Sequence, residues 1–443
     1  MRRPAFDRRF GFSVGLALIA AYAIIQTIGV GEQLGVVWTA IAVGATILSP
    51  VGGLTIVVAL GPFTGALADS GAITAMPFLL AALGASVIVH AFVAGYRPRL
   101  RWPDGAPERA VVMAGLLMVV TALGVALSYV LYGSDRGVEA AQLWVPGIGG
   151  GLTVFCVAAW IARSGDIRPL GVLTASVTLA AIVCLIDFAT VGGVNATPLG
   201  WLLHDQVDTQ RLSGIILAPN AAAAIFLAGV CVGAAFAVAD GRRGIRITGA
   251  AVALICLVAV ILTFSRSALV ALALIVMVVA WRATGWRGVA AAISGLVVIG
   301  ATYVLLTGME ALEGIPGIAD QQRLDAWGAA FRMWLDRPLT GAGFRAFEWL
   351  HADYGSPLLD APHNEWLRLL AEEGIVGGLL GIALVGFVLR SASGERPAAL
   401  AGLALTAAFV AMSLFNNPLL YVQVNVPVFA VLGFAITRSR APR

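Results

Sequence analysis

Residues 246–287 read RITGAAVALICLVAVILTFSRSALVALALIVMVVAWRATGWR. Two apolar runs, 246–264 and 267–281, meet at the polar turn Thr263-Phe264-Ser265-Arg266-Ser267. Read as helices, they form a hairpin across a bilayer, with Arg246, Arg282 and Arg287 on one side and Arg266 on the other. The second run is short. Ala268 to Trp281 rises only about 21 Å against roughly 30 Å of hydrocarbon, so Arg266 is drawn below the surface unless the helix continues to Trp286. A guanidinium there costs on the order of 3 kcal/mol without a partner.

The rest of the chain repeats this pattern. Apolar residues make up 60% of it and charged residues 12%, where a soluble domain carries about a quarter charged. The expected fold is all-α, a polytopic transmembrane helix bundle. Further apolar runs lie near 11–30, 72–95, 110–132, 142–162, 169–191, 216–239, 288–306, 374–390, 398–414 and 418–437, which with the opening pair makes twelve. Leu34 to Leu67 is too long for one straight span and is interrupted by Ser49, Pro50, Gly52 and Gly53. Two short spans there give fourteen, a re-entrant piece keeps twelve, and both solutions put the two termini in the cytoplasm. The first run follows a basic start but has no clean small-residue cleavage site, so it reads as a span. Cys156, Cys184, Cys231 and Cys256 sit in apolar runs and imply no disulfide. No basic cluster is interleaved with aromatics, so nucleic acid is not an expected partner.

All 28 Lys and Arg residues are arginine. Arg2, Arg3, Arg8, Arg9, Arg97, Arg99, Arg101, Arg109, Arg163, Arg168, Arg242, Arg243, Arg246, Arg282, Arg287, Arg390, Arg396, Arg438, Arg440 and Arg443 fall in alternate polar breaks, as the positive-inside rule requires of a cytoplasmic side. Arg136, Arg211, Arg266, Arg323, Arg332, Arg337, Arg345 and Arg368 then lie outside, where insertion calls for none. An anionic substrate is the candidate cause.

Two outward connections are long. One, 192–212, carries His204, Asp205, Asp208 and Arg211. The other, 307–373, separates transmembrane helices in 1–306 from C-terminal ones in 374–443, and loops of that length are usually functional. Within it Leu324, Trp327, Phe331, Trp334 and Leu335 recur at helical spacing, an amphipathic helix ended by Asp336, Pro338 and Gly341. A second helix is expected to start at His363, after Pro362.

Arg211 opens RLSGIILAPN, in which Pro219 and Asn220 are read one or two turns into a span, a local break beside a polar side chain that suits a cavity wall. His363 begins HNEWLRLLAEEG, where a neutral imidazole can act as a general base near pH 7. A zinc site from His204, His351 and His363 lacks the i, i+4 spacing of a helical site, and no metal is expected. Gly341 and Gly343 make a weak phosphate loop, since no strand precedes them. Acidic residues deep in spans are scarce, Asp187 being the nearest case, which argues against a proton-coupled pump.

Taken in order, RLSG with PN (211–220), FSRSAL (264–269), RLDAWGAAFRMWLDRPLTGAGF (323–344) and HNEWLRLLAEEGIVG (363–377) resemble the O-antigen ligase and polysaccharide polymerase superfamily of bacterial membrane glycosyltransferases. The resemblance covers the second half of the chain. It implies an inner-membrane enzyme, active on the periplasmic face, that needs no cofactor or metal and takes a polyprenyl-diphosphate-linked glycan as donor. The implied acceptor is a lipid A core for a ligase, or a growing glycan for a polymerase. Arg211 and Arg266 would hold the diphosphate and His363 would deprotonate or orient the acceptor hydroxyl, with Asn220, Ser265, Arg323, Asn364 and Glu365 as further substrate contacts. Arginine fits this use, being charged at any working pH and gripping phosphate oxygens with paired donors. The alternatives are a transporter or flippase of an anionic lipid-linked glycan, which should show a continuous polar path at the midplane, and a non-catalytic scaffold.

Overall fold

A chain passing through hydrocarbon must satisfy each backbone N–H and C=O internally, which leaves helices or closed barrels. Every regular element among the described residues of the computed structural model is helical. These residues are 8–28, 32–64, 75–93, 105–191, 211–213, 216, 218–239, 242–295, 318–392 and 397–436. His204, Asp205 and Asp208, residues 296–317, and Arg2, Arg3, Arg97, Arg99, Arg101, Arg396, Arg438, Arg440 and Arg443 lie outside them.

The helices are α1 (Arg8–Ile28), α2 (Glu32–Leu48), α3 (Pro50–Leu60), α4 (Ala75–Val93), α5 (Ala106–Tyr132), α6 (Ser134–Trp144), α7 (Gly150–Ala162), α8 (Arg168–Val191), α9 (Pro219–Val238), α10 (Arg243–Leu262) and α11 (Arg266–Thr284). After them come α12 (Ile318–Asp336), the short α13 (Ala346–Leu350), α14 (Glu365–Ser391), α15 (Pro397–Ser413) and α16 (Val422–Ala435). Among the described residues, six stretches are long and apolar enough to cross a membrane: Ala106–Tyr132, Ser134–Ala162, Arg168–Thr190, Pro219–Val238, Arg243–Leu262 and Glu365–Ser391. Shorter apolar helices, such as Pro397–Ser413 and Val422–Ala435, complete the bundle. The run 34–67 divides at Ser49, whose hydroxyl accepts the Gly52 N–H and so caps α3, with Pro50 in its first turn.

Three boundaries differ from the sequence reading. The run expected at 142–162 begins at Ser134 as α6 and reaches α7 through a π-turn, Val145–Gly149, where Gly147 leaves helical geometry. Pro219 does not interrupt a span but opens α9, at a position where its missing N–H leaves nothing unpaired. The helix expected at His363 starts at Glu365, with Asn364 as its cap. The hairpin around Arg266 also spreads apart: α10 packs chiefly on α9, and α11 on α15.

Successive helices reverse the chain, so Arg109, Arg163, Arg168, Arg242, Arg243, Arg246, Arg282 and Arg390 gather at one end of the bundle. Arg136, Arg211, Arg266, Arg323, Arg332, Arg337, Arg345 and Arg368 are at the other. The antiparallel pair α5 and α14 shows this directly. At one end Arg109 lies 6.0 Å from the Phe387 ring centroid, and at the other Phe344 N–H donates to the Gly124 carbonyl at 3.1 Å.

At this second end the segment 338–344 clamps the helices. Helix α14 breaks at Gly374 (φ 66°, ψ −169°), which frees carbonyls one turn earlier. Ala342 N–H takes the Ala371 carbonyl at 2.8 Å and Gly343 N–H takes that of Glu372 at 2.9 Å, while Ile375 N–H returns to Pro338 O at 2.8 Å. On the α5 side Ser128 Oγ donates to Phe344 O at 2.8 Å and Tyr132 OH to Ala342 O at 2.9 Å. Gly341 and Gly343 are therefore packing devices, not a phosphate loop. A Cβ on Gly341, at φ +68°, would stand 2.2 Å from the Glu372 carbonyl oxygen. Gly341→Ala is expected to lower stability by at least the ~1–3 kcal/mol typical of a strained backbone position. Gly386→Ala, whose Cβ meets nothing within 4 Å, is the control and should be neutral or mildly stabilising. Thermal unfolding in detergent compares the two, and equal midpoints would refute the clamp.

Candidate functional site

Arg211 is held before α9 begins. Leu212 N–H donates to Leu262 O at 2.9 Å, tying the segment to the end of α10. The Arg211 guanidinium donates through Nε to Thr263 O at 2.9 Å and through Nη2 to Asn220 Oδ1 at 3.2 Å. Both acceptors are neutral, so neither cancels its charge. Asn220, in the first turn of α9, donates through Nδ2 to Asn416 Oδ1 at 2.9 Å. Asn416 in turn donates through Nδ2 to Ser267 Oγ at 2.6 Å, and Ser267 Oγ stands 3.1 Å from Ser265 Oγ.

The direction of this relay is dictated at its head. A guanidinium has no acceptor, so Asn220 must present its oxygen to Arg211 and its nitrogen to Asn416. Asn416 then has only its nitrogen left for Ser267. Ser265, the residue before Arg266, is buried at the head of α11. The chain of bonds thus connects the two arginine-bearing pieces through side chains from four separate segments.

Charges converge around it. Burial lowers the Arg211 pKa from its ordinary value, and the nearby charges of Arg266 and Arg323 lower it further. Arg323 belongs to α12, so the long loop delivers a third cation to the pair held by the bundle. His363 is half-buried, and its pKa is lowered from 6.5, first by desolvation and then by Arg323, with Asp360 opposing. Its imidazole is consequently neutral at pH 7, able to accept a proton. Phe264 (φ 50°) and His363 (φ 48°) both adopt left-handed backbone conformations, each just before the residue that caps α11 or α14. Such strain in side-chain-bearing residues clusters at functional sites.

The other outward arginines hold the loop together instead. Arg368, 3% exposed, pairs with Glu365 and, at 2.7 Å, with Glu372, and lies over the Phe344 ring. Arg345 pairs with Glu348 and, at 3.5 Å, with Glu139 of α6. Arg332 donates to Tyr354 O at 3.0 Å through Nε. Arg136 stands 5.3 Å from the Trp349 ring centroid, and Arg337 bonds Tyr132. His351 is likewise engaged, through Nδ1 to Ser356 O and by stacking on Phe347.

Two of the expected substrate contacts have structural partners. Asn364 Oδ1 accepts Trp366 N–H and Leu367 N–H, both at 3.1 Å, capping α14. Glu365, 2% exposed, spends Oε1 on Arg368, and its Oε2 accepts Leu419 N–H at 3.1 Å. These commitments turn the Glu365 carboxylate into a brace for the helix that follows His363. Arg211, Asn220, Ser265, Arg266, Arg323 and His363 form the assembled group. Sequence reading missed Asn416. Its signal was available: Phe415-Asn416-Asn417-Pro418 is a polar interruption between the apolar runs 398–414 and 418–437.

Residues 251–382 match the Wzy_C family model, O-antigen ligase. Over this stretch, less than a third of the chain, it is similar to the O-antigen ligase family. The stretch begins inside α10 and ends inside α14, so it contains Ser265, Arg266, Arg323 and His363. Arg211, Asn220 and Asn416 lie outside the matched residues and reach them through the relay. No curated protein matches the chain. Together with the apolar helices, the similarity indicates a membrane enzyme of glycan processing. Arg211→Ala and Arg266→Ala are each expected to weaken binding of a lipid diphosphate by about 2 kcal/mol, the low end for a charge-assisted pair because both side chains are partly exposed. That is about 30-fold in Kd. Lysine should restore little of it, because an ammonium lacks the paired donors. Unchanged Kd in both alanine variants would remove the arginines from the site.

Proposed function

We propose that the chain is a glycosyltransferase that moves a polyprenyl-diphosphate-linked glycan to an acceptor hydroxyl on the periplasmic face of the inner membrane. The observation that carries this is the convergence of Arg211, Arg266 and Arg323 beside a neutral His363, with Arg211 bonded only to neutral acceptors. Two cations that press on a third, Arg211, call for an anion of more than one charge, and a diphosphate supplies it.

In this reading His363 takes the proton of the acceptor hydroxyl as its oxygen attacks the anomeric carbon of the donor. The bond from that carbon to the diphosphate oxygen breaks as the new glycosidic bond forms, and its electron pair leaves with the diphosphate. Arg211, Arg266 and Arg323 stabilise the charge that develops there. A single displacement inverts the anomeric centre. Neither nucleotide nor metal enters these steps. The acceptor is either a lipid A core or the end of another lipid-linked glycan, which makes the enzyme ligase-like or polymerase-like. Purified protein given a polyprenyl diphosphate oligosaccharide and each acceptor in turn tests this, and well-folded protein that transfers to neither would refute it.

Two outcomes follow from the geometry. A base must be deprotonated, and the His363 pKa lies below 6.5, so turnover should hold from pH 8 to about 6.5 and fall only at lower pH. Arg323→Ala removes a charge that depresses this pKa, so the falling limb should move to higher pH, while Asp360→Asn should move it lower. A limb that stays in place in both variants would count against His363 as the base. The orientation has its own test. Leu358, 69% exposed in the long loop, should react as Leu358→Cys with an impermeant thiol reagent in cells whose inner membrane is intact. Labelling only after inner-membrane lysis would reverse the topology.

A further inference from the structure

Asn417 is the most costly polar side chain near the site. It is 4% exposed, and neither its Oδ1 nor its Nδ2 meets a hydrogen-bond partner. Ser413 Oγ, one helical turn earlier, is buried and unpartnered as well. Buried polar groups are nearly always paired, and leaving one unmade is selected against unless something else uses it. The neighbours of Asn417 are in contrast fully committed. On one side Asn416 is bonded to Asn220 and Ser267, the supports of the two arginine-bearing segments. On the other, Leu419 N–H is bonded to Glu365, two residues beyond His363. The turn 416–419 is thus anchored at one end to the arginine half of the site and at the other to the helix start beside His363, and Asn417 lies between these anchors along the chain.

In the transferase reading, on which this inference rests, the leaving diphosphate occupies the arginine half and the attacking hydroxyl the histidine half. The donor sugar whose anomeric carbon reacts must lie between. We infer that Asn417 reads this sugar, its carboxamide donating to one polar substituent of the ring and accepting from another. A carboxamide presents a donor and an acceptor side by side, which complements neighbouring hydroxyls or an acetamido group. Asn417 is thus a specificity-determining residue, with its two bonds left unmade until the donor arrives. Sites built this way reject analogues that lack the matching group, because the protein's own polar atoms are then left unpaired.

The test uses the full-length protein and polyprenyl diphosphate donors whose first sugar is either complete or lacks one polar ring substituent at a time. Wild-type protein should use one or two of the deoxy donors about tenfold to a hundredfold less well than the parent, by kcat/KM. Asn417→Ala and Asn417→Leu should lose about that factor on the parent donor and nothing further on those deoxy donors, so that discrimination disappears. A second readout needs no activity. Asn417→Leu, apolar and of similar size, should unfold at the same or a higher temperature than wild type without donor, because it removes two unpaired buried atoms. Parent and deoxy donors falling in equal proportion would overturn the inference, as would a lowered unfolding temperature in Asn417→Leu. If the wild-type protein transfers from no donor and binds glycosylated and bare polyprenyl diphosphate equally, the transferase reading falls, and this inference with it.

Discussion

A guanidinium can donate hydrogen bonds but never accept one, and the order of the site descends from that constraint. Because Arg211 donates to Asn220, both asparagine carboxamides in the relay have one permitted orientation, and Ser267 is forced to accept. Each bond in isolation contributes about 1 kcal/mol. Their worth as a set is greater, since losing one partner strands the next in a poorly hydrated place. The relay also ties the segments carrying Arg211 and Arg266 to a turn 196 residues beyond Asn220 in sequence. The bonds of Arg211 and Leu212 to the Thr263 and Leu262 carbonyls, three and four residues before Arg266, fix the same spacing from the other side.

Apolar periodicity and arginine placement made the helical bundle legible, because hydrocarbon leaves the backbone no other local solution and positive charge has a preferred side. The break at Ser49 and Pro50 was legible for the same local reason, a cap followed by proline. What failed was whatever depends on packing. Pro219 looks the same in sequence whether it kinks a helix or opens one, and only the anchoring of Leu212 to Leu262 decides for opening. Eight outward arginines looked alike, yet Arg136, Arg332, Arg337, Arg345 and Arg368 brace the loop, and only Arg211, Arg266 and Arg323 converge. Their partners lie from three to more than two hundred residues away, a range that no local spacing rule covers. The polar break at Asn416 was visible in the sequence, but its role was not, since that role exists only once Asn220 and Ser267 arrive beside it.

The long loop has two tasks, and different residues perform them. Residues 338–344 lock it to the break at Gly374 through backbone bonds, and Glu365 with Arg368 and Glu372 fixes the first turns of α14. These make the loop a rigid extension of the bundle. Arg323 and His363 are then carried as projections from a fixed frame, which suits chemistry that tolerates little misplacement.

Arg323 reconciles two demands that otherwise conflict. A diphosphate placed close enough to His363 for transfer would draw a proton onto the imidazole, because an adjacent anion favours the charged form. A protonated imidazole is no longer a base. In the proposed reaction the positive charge of Arg323 acts on both groups, pressing the His363 pKa down and standing with Arg211 and Arg266 where the anion would bind. Arg266 and Arg323 both press on Arg211, whose pKa they lower. In the proposed reading a bound diphosphate would offset that repulsion, which favours a headgroup with more than one charge. Asp360, which acts on His363 in the opposite sense, limits how far the base is weakened. The imidazole thereby stays neutral at the working pH without becoming too poor an acceptor to take the proton.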